Sequence, residues 1–212
     1  WEKTESIVVI GLRQPLGTYL SDDHYCVGRA TSLVQRRTSR LGRSIAEYIE
    51  DELGEQALLM AGEETDPELH GGNYGFLSLR HLANEAGLGT FGLEANLLTP
   101  EFGPRCYFGA VLTEARLEPD GRSTEQLCIG ENCSRCLHAC PTDAVEQFNL
   151  NRIRCAPAAM PNGIRSILYS PARALLYLDD VQDRIDMLQT DEVWEKYDSI
   201  VRLTGTYAGC PR

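Results

Sequence analysis

A run of four closely spaced cysteines constrains this chain more than any other feature. Of the eight cysteines in the 212 residues, four lie between Cys128 and Cys140, with gaps of four, two and three residues. They are Cys128, Cys133, Cys136 and Cys140, and Pro141 follows the last of them. The part C-x2-C-x3-C-P is typical of bacterial ferredoxins, in which the fourth cysteine of the run binds a different [4Fe–4S] cluster from the others. The run therefore predicts an iron–sulfur protein.

The first gap of the run departs from the ferredoxin pattern. Gly130 stands where the usual two-residue gap before Cys133 would place a cysteine, and Cys128 lies two residues earlier. A longer loop that contains a glycine can still reach a cluster. A structural zinc site is the alternative, because zinc also binds thiolates at two-residue spacing. The ending x3-Cys-Pro is uncommon in zinc sites, so the pattern favours iron and sulfide.

The number of cysteines favours two clusters. One [4Fe–4S] cluster takes four cysteines and two clusters take eight, whereas the run together with Cys155 and Cys210 gives six. Because Cys210 stands near the last residue, Arg212, we expect further cysteines beyond it. The first cluster would use Cys128, Cys133 and Cys136, and the second would use Cys140, Cys155 and Cys210. The competing interpretation is a single cluster on Cys128, Cys133, Cys136 and Cys210.

The composition excludes several classes of protein. Eight cysteines in 212 residues are too sparse for a disulfide-rich secreted domain, and clustered thiols favour a reducing, cytoplasmic compartment. The formal net charge of −11 argues against general binding of nucleic acids. Because no run of about 18 apolar residues occurs, we expect no membrane span. The first residue is Trp1 and not a methionine, and we expect further segments of the protein at both ends.

The pattern of apolar residues predicts a chain with both helices and strands. Apolar runs predict strands at 6–11, 57–61 and 106–113, and helical spacing predicts helices at 29–53 and 76–86. Cys106 is expected to be a buried small side chain on the third strand, and Cys26 a small apolar residue in a loop. Strand, helix and strand in this order are consistent with an α/β layer.

The polar stretch 114–127, which contains a Pro-Asp-Gly turn signal, predicts a linker between two domains. We place these domains at 1–121 and 122–212. After the cysteine run, Thr142 or Asp143 is expected to cap a helix. The stretch 171–203 is expected to be largely helical.

Two stretches of the chain resemble a known family. The first runs from His81 to Arg105, includes Gly87-Leu-Gly-Thr-Phe-Gly92, and is followed by Gly109-Ala-Val-Leu-Thr. The second is the cysteine run, continued to Cys155. In order and spacing they resemble the iron–sulfur proteins that include epoxyqueuosine reductase and the reductive dehalogenases. The resemblance implies an α+β fold, with a nitroreductase-like α/β portion that holds a cobalamin and a ferredoxin-like portion with helices and two [4Fe–4S] clusters.

The resemblance also implies roles for individual residues. The glycine turn would line the cofactor cavity, with Gly87, Gly89, Gly92 and Asn96 as cofactor-binding residues. A dinucleotide fingerprint is the alternative for this turn, but that motif follows a strand, and here a helix precedes it. In epoxyqueuosine reductases an acidic proton donor precedes the turn, and at the corresponding position, 14 residues before Gly87, this chain has Asn73. The neighbouring Tyr74 is therefore the candidate acid, since the dehalogenases use a tyrosine.

These features predict an iron–sulfur oxidoreductase that passes electrons through its clusters to a corrinoid for a reductive reaction. The electron donor would be a ferredoxin-type or flavodoxin-type protein, and the substrate a small molecule or a modified nucleoside. Two alternatives remain open: an electron-transfer or interaction module that has lost the corrinoid chemistry, and a flavin-using reductase. Arg36, Arg40 and Arg43 share one face of the long helix, which is either a solvated face or a small basic patch for an anionic ligand.

Overall fold

The computed structural model of the protein describes residues 1–60, 75–159, 175 and 177–194. The strands are β1 (Ser6–Arg13), β2 (Ala57–Met60), β3 (Thr90–Phe91), β4 (Leu97–Leu98), β5 (Cys106–Thr113), β6 (Val145–Glu146) and β7 (Asn149–Leu150). The helices are α1 (Leu16–Tyr19), α2 (His24–Tyr48), α3 (Leu79–Glu85), α4 (Arg135–His138), α5 (Arg152–Ala159) and α6 (Val181–Leu188). A π-helical turn, Ile49–Leu53, continues α2, and a 3₁₀ turn occupies Gly130–Asn132. The fold is therefore mixed, as the sequence predicts.

The three strands expected from the apolar runs form one antiparallel sheet in the order β1-β5-β2. The central strand β5 pairs along its whole length with β1, from Ser6 opposite Thr113 to Arg13 opposite Cys106. Because β1 and β2 both run antiparallel to β5, they are parallel to each other, and α2 lies between them in the chain. β5 is the most deeply buried strand, which accounts for its nearly continuous apolar sequence.

Helices α2 and α3 pack on opposite faces of this sheet. On one face Val111 and Ile10 pack with Ile49 of the π-helical turn. On the other face Phe108 packs with Ala83 of α3 and with Leu97. Alternate residues of a strand point to opposite faces, so the single strand β5 supplies both cores. The second face carries the glycine turn and therefore supports the candidate site.

Two helix predictions differ from the structure. Helix α2 begins at His24 and not at residue 29, because the carboxylate of Asp23 accepts a hydrogen bond from the amide of Cys26 at 3.2 Å, as an N-terminal cap does. The helix expected from Thr142 or Asp143 is wrong, since β6 and β7 form a hairpin there. Asp143, with φ 48°, and Phe148, with φ 54°, adopt left-handed backbone conformations that interrupt a right-handed helix.

The other elements predicted from the sequence are confirmed within a few residues. They are the strands at 6–11, 57–61 and 106–113 and the helix at 76–86, which the structure has as α3. Within the described part of 171–203, the chain forms α6. The boundary between the proposed domains 1–121 and 122–212 stays a prediction.

Candidate functional site

The glycine turn leads from α3 into a hairpin made by β3 and β4. The amide of Gly92 donates a hydrogen bond to the carbonyl oxygen of Asn96 at 2.8 Å. The side-chain oxygen of Asn96 accepts from the amide of Leu97 at 3.0 Å. Gly92 and Asn96 therefore close the hairpin, and a role for them towards a cofactor stays a prediction.

The first two glycines of the turn are explained by close packing of the backbone. A Cβ atom on Gly87, whose φ is +76°, would overlap the carbonyl oxygen of Gly121, and one on Gly89 would overlap that of Leu98. The space beside both glycines is thus filled by the chain itself. These contacts provide no cradle for a corrinoid ring at Gly87 or Gly89, and we assign no step to such a cofactor.

The stretch predicted to be a linker runs along the glycine turn. Arg122 forms an ion pair with Glu85 at the end of α3. The buried hydroxyl of Thr90 donates a hydrogen bond to the carbonyl oxygen of Glu125 at 3.2 Å. The same hydroxyl accepts from the amide of Leu127, also at 3.2 Å. The residues just before the cysteine run are therefore fixed by the sheet-bearing part of the chain.

Two backbone amides point at the sulfur of Cys128. The Sγ atom accepts hydrogen bonds from the amides of Leu93 and Gly130, both at 3.4 Å. Gly130, which stands where the ferredoxin pattern has a cysteine, has a φ of 64°. The longer first gap thus places an amide donor beside the sulfur, and Leu93, directly after the glycine turn, supplies a second donor.

The sulfur of Cys140 is buried and also accepts from a backbone amide. Its side chain is only 7% exposed, and its Sγ accepts a hydrogen bond from the amide of Ala144 at 3.1 Å. Burial raises the pKa of this thiol, but the amides of Thr142, Val145 and Ala144 together outweigh burial and hold the pKa below its ordinary value. The left-handed turn at Asp143 bends these amides towards the sulfur, as in an anion-binding nest.

Cys155, on α5, is near enough to Cys140 for the two sulfur atoms to interact electrostatically. Burial raises the pKa of the Cys155 thiol, and the charge of Cys140 raises it further. The start of α5 is tied to the hairpin because the amide of Asn151 donates to the carbonyl oxygen of Ala144 at 2.8 Å. The structure thus brings together two of the three cysteines expected to share the second cluster.

Cys136, on α4, lies beside Glu94, which follows the glycine turn. Burial raises the pKa of its thiol, and the carboxylate of Glu94 raises it further. Cys133 is exposed. Sequence reasoning missed Glu94, as well as Thr90 and the Leu93 amide. Their position in or directly after the glycine turn was the only available signal. The Leu93 donor is a backbone amide, which has no characteristic residue type, and Thr90 and Glu94 are residue types that are common on protein surfaces and in turns.

Some predicted residues lie elsewhere or outside the described residues. Tyr74 and Cys210 both belong to stretches that the structure does not describe. Cys106, expected to be buried, is half-buried and packs at the edge of the Phe108 core. Cys26, expected in a loop, lies in the first turn of α2, where it is exposed and donates a hydrogen bond to Asp23. Across the described ranges, no three His, Cys, Asp or Glu side chains are grouped so as to hold a metal ion. The described cysteines are free thiols.

The arginines of α2 are a mixed set. Arg43 forms an ion pair with Glu47 at 2.7 Å, whereas Arg36 and Arg40 are exposed. These contacts do not decide whether this side of α2 is a solvated face or a basic patch for an anionic ligand.

None of the helices in the described ranges combines the length and the hydropathy needed to cross a bilayer.

Comparison with known proteins identifies relatives by sequence. No known family model matches the chain. The epoxyqueuosine reductase of Synechococcus sp. strain CC9605 is 33% identical over 159 residues, which are 71% of this chain and 44% of that protein. The epoxyqueuosine reductase of Synechococcus sp. strain RCC307 is 43% identical over 74 residues, 34% of this chain and 22% of that protein. The matches thus span less than half the length of these relatives.

Solved structures include proteins with the same fold. The catabolic reductive dehalogenase NpRdhA matches 97% of this chain and 34% of its own, with a TM-score of 0.60 and 18% identity. An epoxyqueuosine reductase in complex with an epoxyqueuosine-modified tRNA stem loop matches 72% of this chain and 40% of its own, with a TM-score of 0.49 and 23% identity. The dehalogenase match shows a common fold.

Proposed function

From the similarity of this chain to epoxyqueuosine reductases and its reductive dehalogenase fold, we propose that it is part of an iron–sulfur reductase. In this proposal residues 1–121 form the nitroreductase-like cofactor or substrate portion and 122–212 the ferredoxin-like iron–sulfur portion. The observation that carries the proposal is the set of backbone amides directed at the sulfur atoms of Cys128 and Cys140. Hydrogen bonds to cysteine sulfur are one of the means by which proteins tune iron–sulfur clusters.

The cysteines divide into two ligand groups. We propose that Cys128, Cys133 and Cys136 bind one [4Fe–4S] cluster, and that Cys140, Cys155 and Cys210 contribute to a second. Such clusters, when bound, supply one-electron transfer. Hydrogen bonds from backbone amides to the sulfur atoms of Cys128 and Cys140 would stabilise the additional negative charge of a reduced cluster. The neighbourhood of Cys140 and Cys155 supports the second group.

The remaining parts of the proposal concern the reaction. Electrons would come from a ferredoxin-type or flavodoxin-type protein, and the name of the curated relatives supports a modified nucleoside as the substrate class. Tyr74 would donate a proton to the reduced substrate. We propose a cytoplasmic location, in keeping with free clustered thiols.

Counting iron and sulfide tests the cluster proposal. Anaerobic reconstitution of the full-length protein is expected to give about eight iron atoms and eight sulfides per chain. Cys140→Ser and Cys155→Ser should each lose about half of this iron, and the control Cys106→Ser, which alters a half-buried thiol on β5, should retain it. About four iron atoms in the unsubstituted protein would favour the single-cluster interpretation. No iron or sulfide at all would reject an iron–sulfur protein.

A second candidate is an electron-transfer or interaction module without a corrinoid. It is favoured by the contacts at Gly87 and Gly89, whose open sides are occupied by carbonyl oxygens of the chain itself. The module should show reversible cluster reduction but no change in the absorption spectrum of added cobalamin up to high micromolar concentration. A bound corrinoid spectrum, or turnover of a small organic substrate, would exclude it.

A further inference from the structure

The position of Cys128 is determined in part from outside the cysteine run, because the amide of Leu93, as well as that of Gly130, donates to its sulfur. Within the run, this cysteine is separated from Cys133 by four residues that include Gly130 in a left-handed conformation. A loop of this kind leaves a cysteine with many possible positions, since glycine has wide conformational freedom. The preceding residues, in contrast, are hydrogen-bonded to the glycine turn.

Thr90 is the residue that fixes the segment just before Cys128. Its hydroxyl bonds to residues on both sides of Gln126, because it donates to the carbonyl oxygen of Glu125 and accepts from the amide of Leu127, each at 3.2 Å. The side chain of Gln126 adds a third hydrogen bond to the same hairpin, to the carbonyl oxygen of Phe91 at 3.1 Å. Thr90 is 7% exposed, so neither hydrogen bond of the hydroxyl is readily replaced by water.

The same hairpin also binds the sulfur. Leu93 lies three residues after Thr90, and its amide donates to the Sγ of Cys128 at 3.4 Å. One hairpin thus fixes the chain just before Cys128 and directs an amide at its sulfur. Two contacts in series of this kind orient a ligand before the metal binds, as supporting hydrogen bonds do around other metal centres.

We propose that Thr90 is a positioning residue, which holds Cys128 against the amide of Leu93 so that its thiolate is placed to bind a cluster despite the unusual first gap. This inference rests on the proposed iron–sulfur function. Its geometric part, the fixing of Cys128 by Thr90, applies also to the protein without its cluster.

Thr90→Val is the test, and Thr99→Val is the matched control. Valine keeps the β-branched shape and removes the hydroxyl. Thr99 is 6% exposed, and its hydroxyl likewise accepts from one amide, that of Phe102 at 3.2 Å, and donates to one carbonyl oxygen, that of Gly103 at 3.3 Å. Both substitutions remove a hydroxyl that bonds to one amide and one carbonyl oxygen. The Thr99 hydroxyl also lies 3.5 Å from the Sγ of Cys106, and of the two threonines only Thr90 is connected to Cys128.

The first measurement uses the protein without iron. In Thr90→Val, alkylation of Cys128 by iodoacetamide, followed by peptide mass spectrometry, should be about fivefold faster than in the unsubstituted protein, the factor for losing about one hydrogen bond. Thr99→Val should alkylate Cys128 at the unsubstituted rate, and Thr90→Ser, which keeps the hydroxyl, should restore it. Equal rates in Thr90→Val and Thr99→Val would overturn the proposal.

The second measurement uses the reconstituted full-length protein. Thr90→Val should shift the cluster bound by Cys128 to a more negative midpoint potential and change its electron paramagnetic resonance spectrum, because the Leu93 amide no longer stabilises charge on the sulfur. Thr99→Val should change neither the potential nor the spectrum.

The outcomes separate the two proposals. If the unsubstituted protein takes up no iron, the proposed function is wrong. If Thr90→Val and Thr99→Val both bind clusters with identical potentials, the role of Thr90 is wrong. If Thr90→Val does not fold, Thr90→Ala, which also removes the hydroxyl, takes its place, and a potential in Thr90→Ala equal to that of the unsubstituted protein overturns the proposal.

Discussion

The sheet region, residues 1–113, and the cysteine region, residues 128–159, are held together in different ways. In the sheet region, side chains such as Val111 and Ala110 on the central strand are completely buried among apolar neighbours. In the described side chains of the cysteine region, only those of Cys140 and Ala144 are buried. The first region is stabilised by removing apolar surface from water. The second depends on backbone hydrogen bonds, among them three to the sulfur atoms of Cys128 and Cys140, and on the group that its cysteines bind.

Removal of iron should give the largest difference between the two regions. The free energy of metal binding is also folding free energy for a small region without its own core. Chelation of the reconstituted full-length protein should therefore lower the protection of amides in 128–155 by several kcal/mol. Amides of β5 should keep their protection. Hydrogen exchange with mass spectrometry measures both regions in one sample.

The control for this experiment is the same chelator added to protein that was never loaded with iron. It should change neither region. If the amides of 128–155 remain protected after chelation, the cysteine region has a stable fold of its own and the comparison between the two regions is wrong.

The second largest effect is expected in the sheet region. Leu97 is 1% exposed and packs against Phe108 and Ala83. Leu97→Ala removes buried apolar contacts and leaves a cavity, which should lower the free energy of unfolding by about 3 kcal/mol. Leu33, on α2, is 65% exposed, so Leu33→Ala should change the free energy of unfolding by less than about 0.5 kcal/mol. Denaturant unfolding measures both values, and similar losses would show that burial does not dominate here.

Substitution of Gly87 tests the junction of the two regions. Gly87 and Gly54 both have positive φ, +76° and +70°, but a Cβ at Gly54 meets no atom within 4 Å. Gly54→Ala should therefore cost only the backbone strain, about 1 kcal/mol. Gly87→Ala adds an overlap with the carbonyl oxygen of Gly121, and should cost about 2–3 kcal/mol in total.

Unfolding and iron content separate the two glycine variants further. The segment that follows Gly121 leads to Cys128, so a displacement of Gly121 should also displace this cysteine. Gly87→Ala should therefore reduce iron uptake, and Gly54→Ala should not. Equal stability and equal iron content in both variants would mean that the contact between Gly87 and Gly121 does not hold the regions together.

The sequence predicts the two regions to different extents, for physical reasons. The bounds of β5 agree with the apolar run at 106–113 because a central strand is buried on both faces and its sequence carries that signal. The cysteine spacing indicates a metal centre because thiolates are the donors. The hairpin after Cys140 was missed, since Thr142 and Asp143 are residue types common both at helix caps and in turns.

The contacts around the sulfur atoms were beyond sequence reasoning for another reason. The donors to Cys128 and Cys140 are backbone amides of Leu93, Gly130 and Ala144, and any residue except proline carries such a donor. Their direction follows from turns at Asp143 and Gly130, where single left-handed residues redirect the chain. Only the three-dimensional course of the backbone reveals them.

The smallest expected effect concerns Cys26, near the start of the sheet region. Its neighbours raise the pKa of its thiol, whereas those of Cys140 lower it. A hydrogen bond to the Asp23 carboxylate, together with its negative charge, raises the pKa of the Cys26 thiol. Asp23→Asn removes the charge but keeps a good helix cap, so the pKa should fall and alkylation of Cys26 should accelerate at pH below the ordinary thiol pKa. The control Asp22→Asn removes an equal charge from the adjacent exposed residue and should have less effect. The measurement is the rate of iodoacetamide labelling of Cys26 between about pH 7 and 9. If the dependence of this rate on pH is the same in Asp23→Asn as in the unsubstituted protein, the Asp23 carboxylate does not raise the pKa of this thiol.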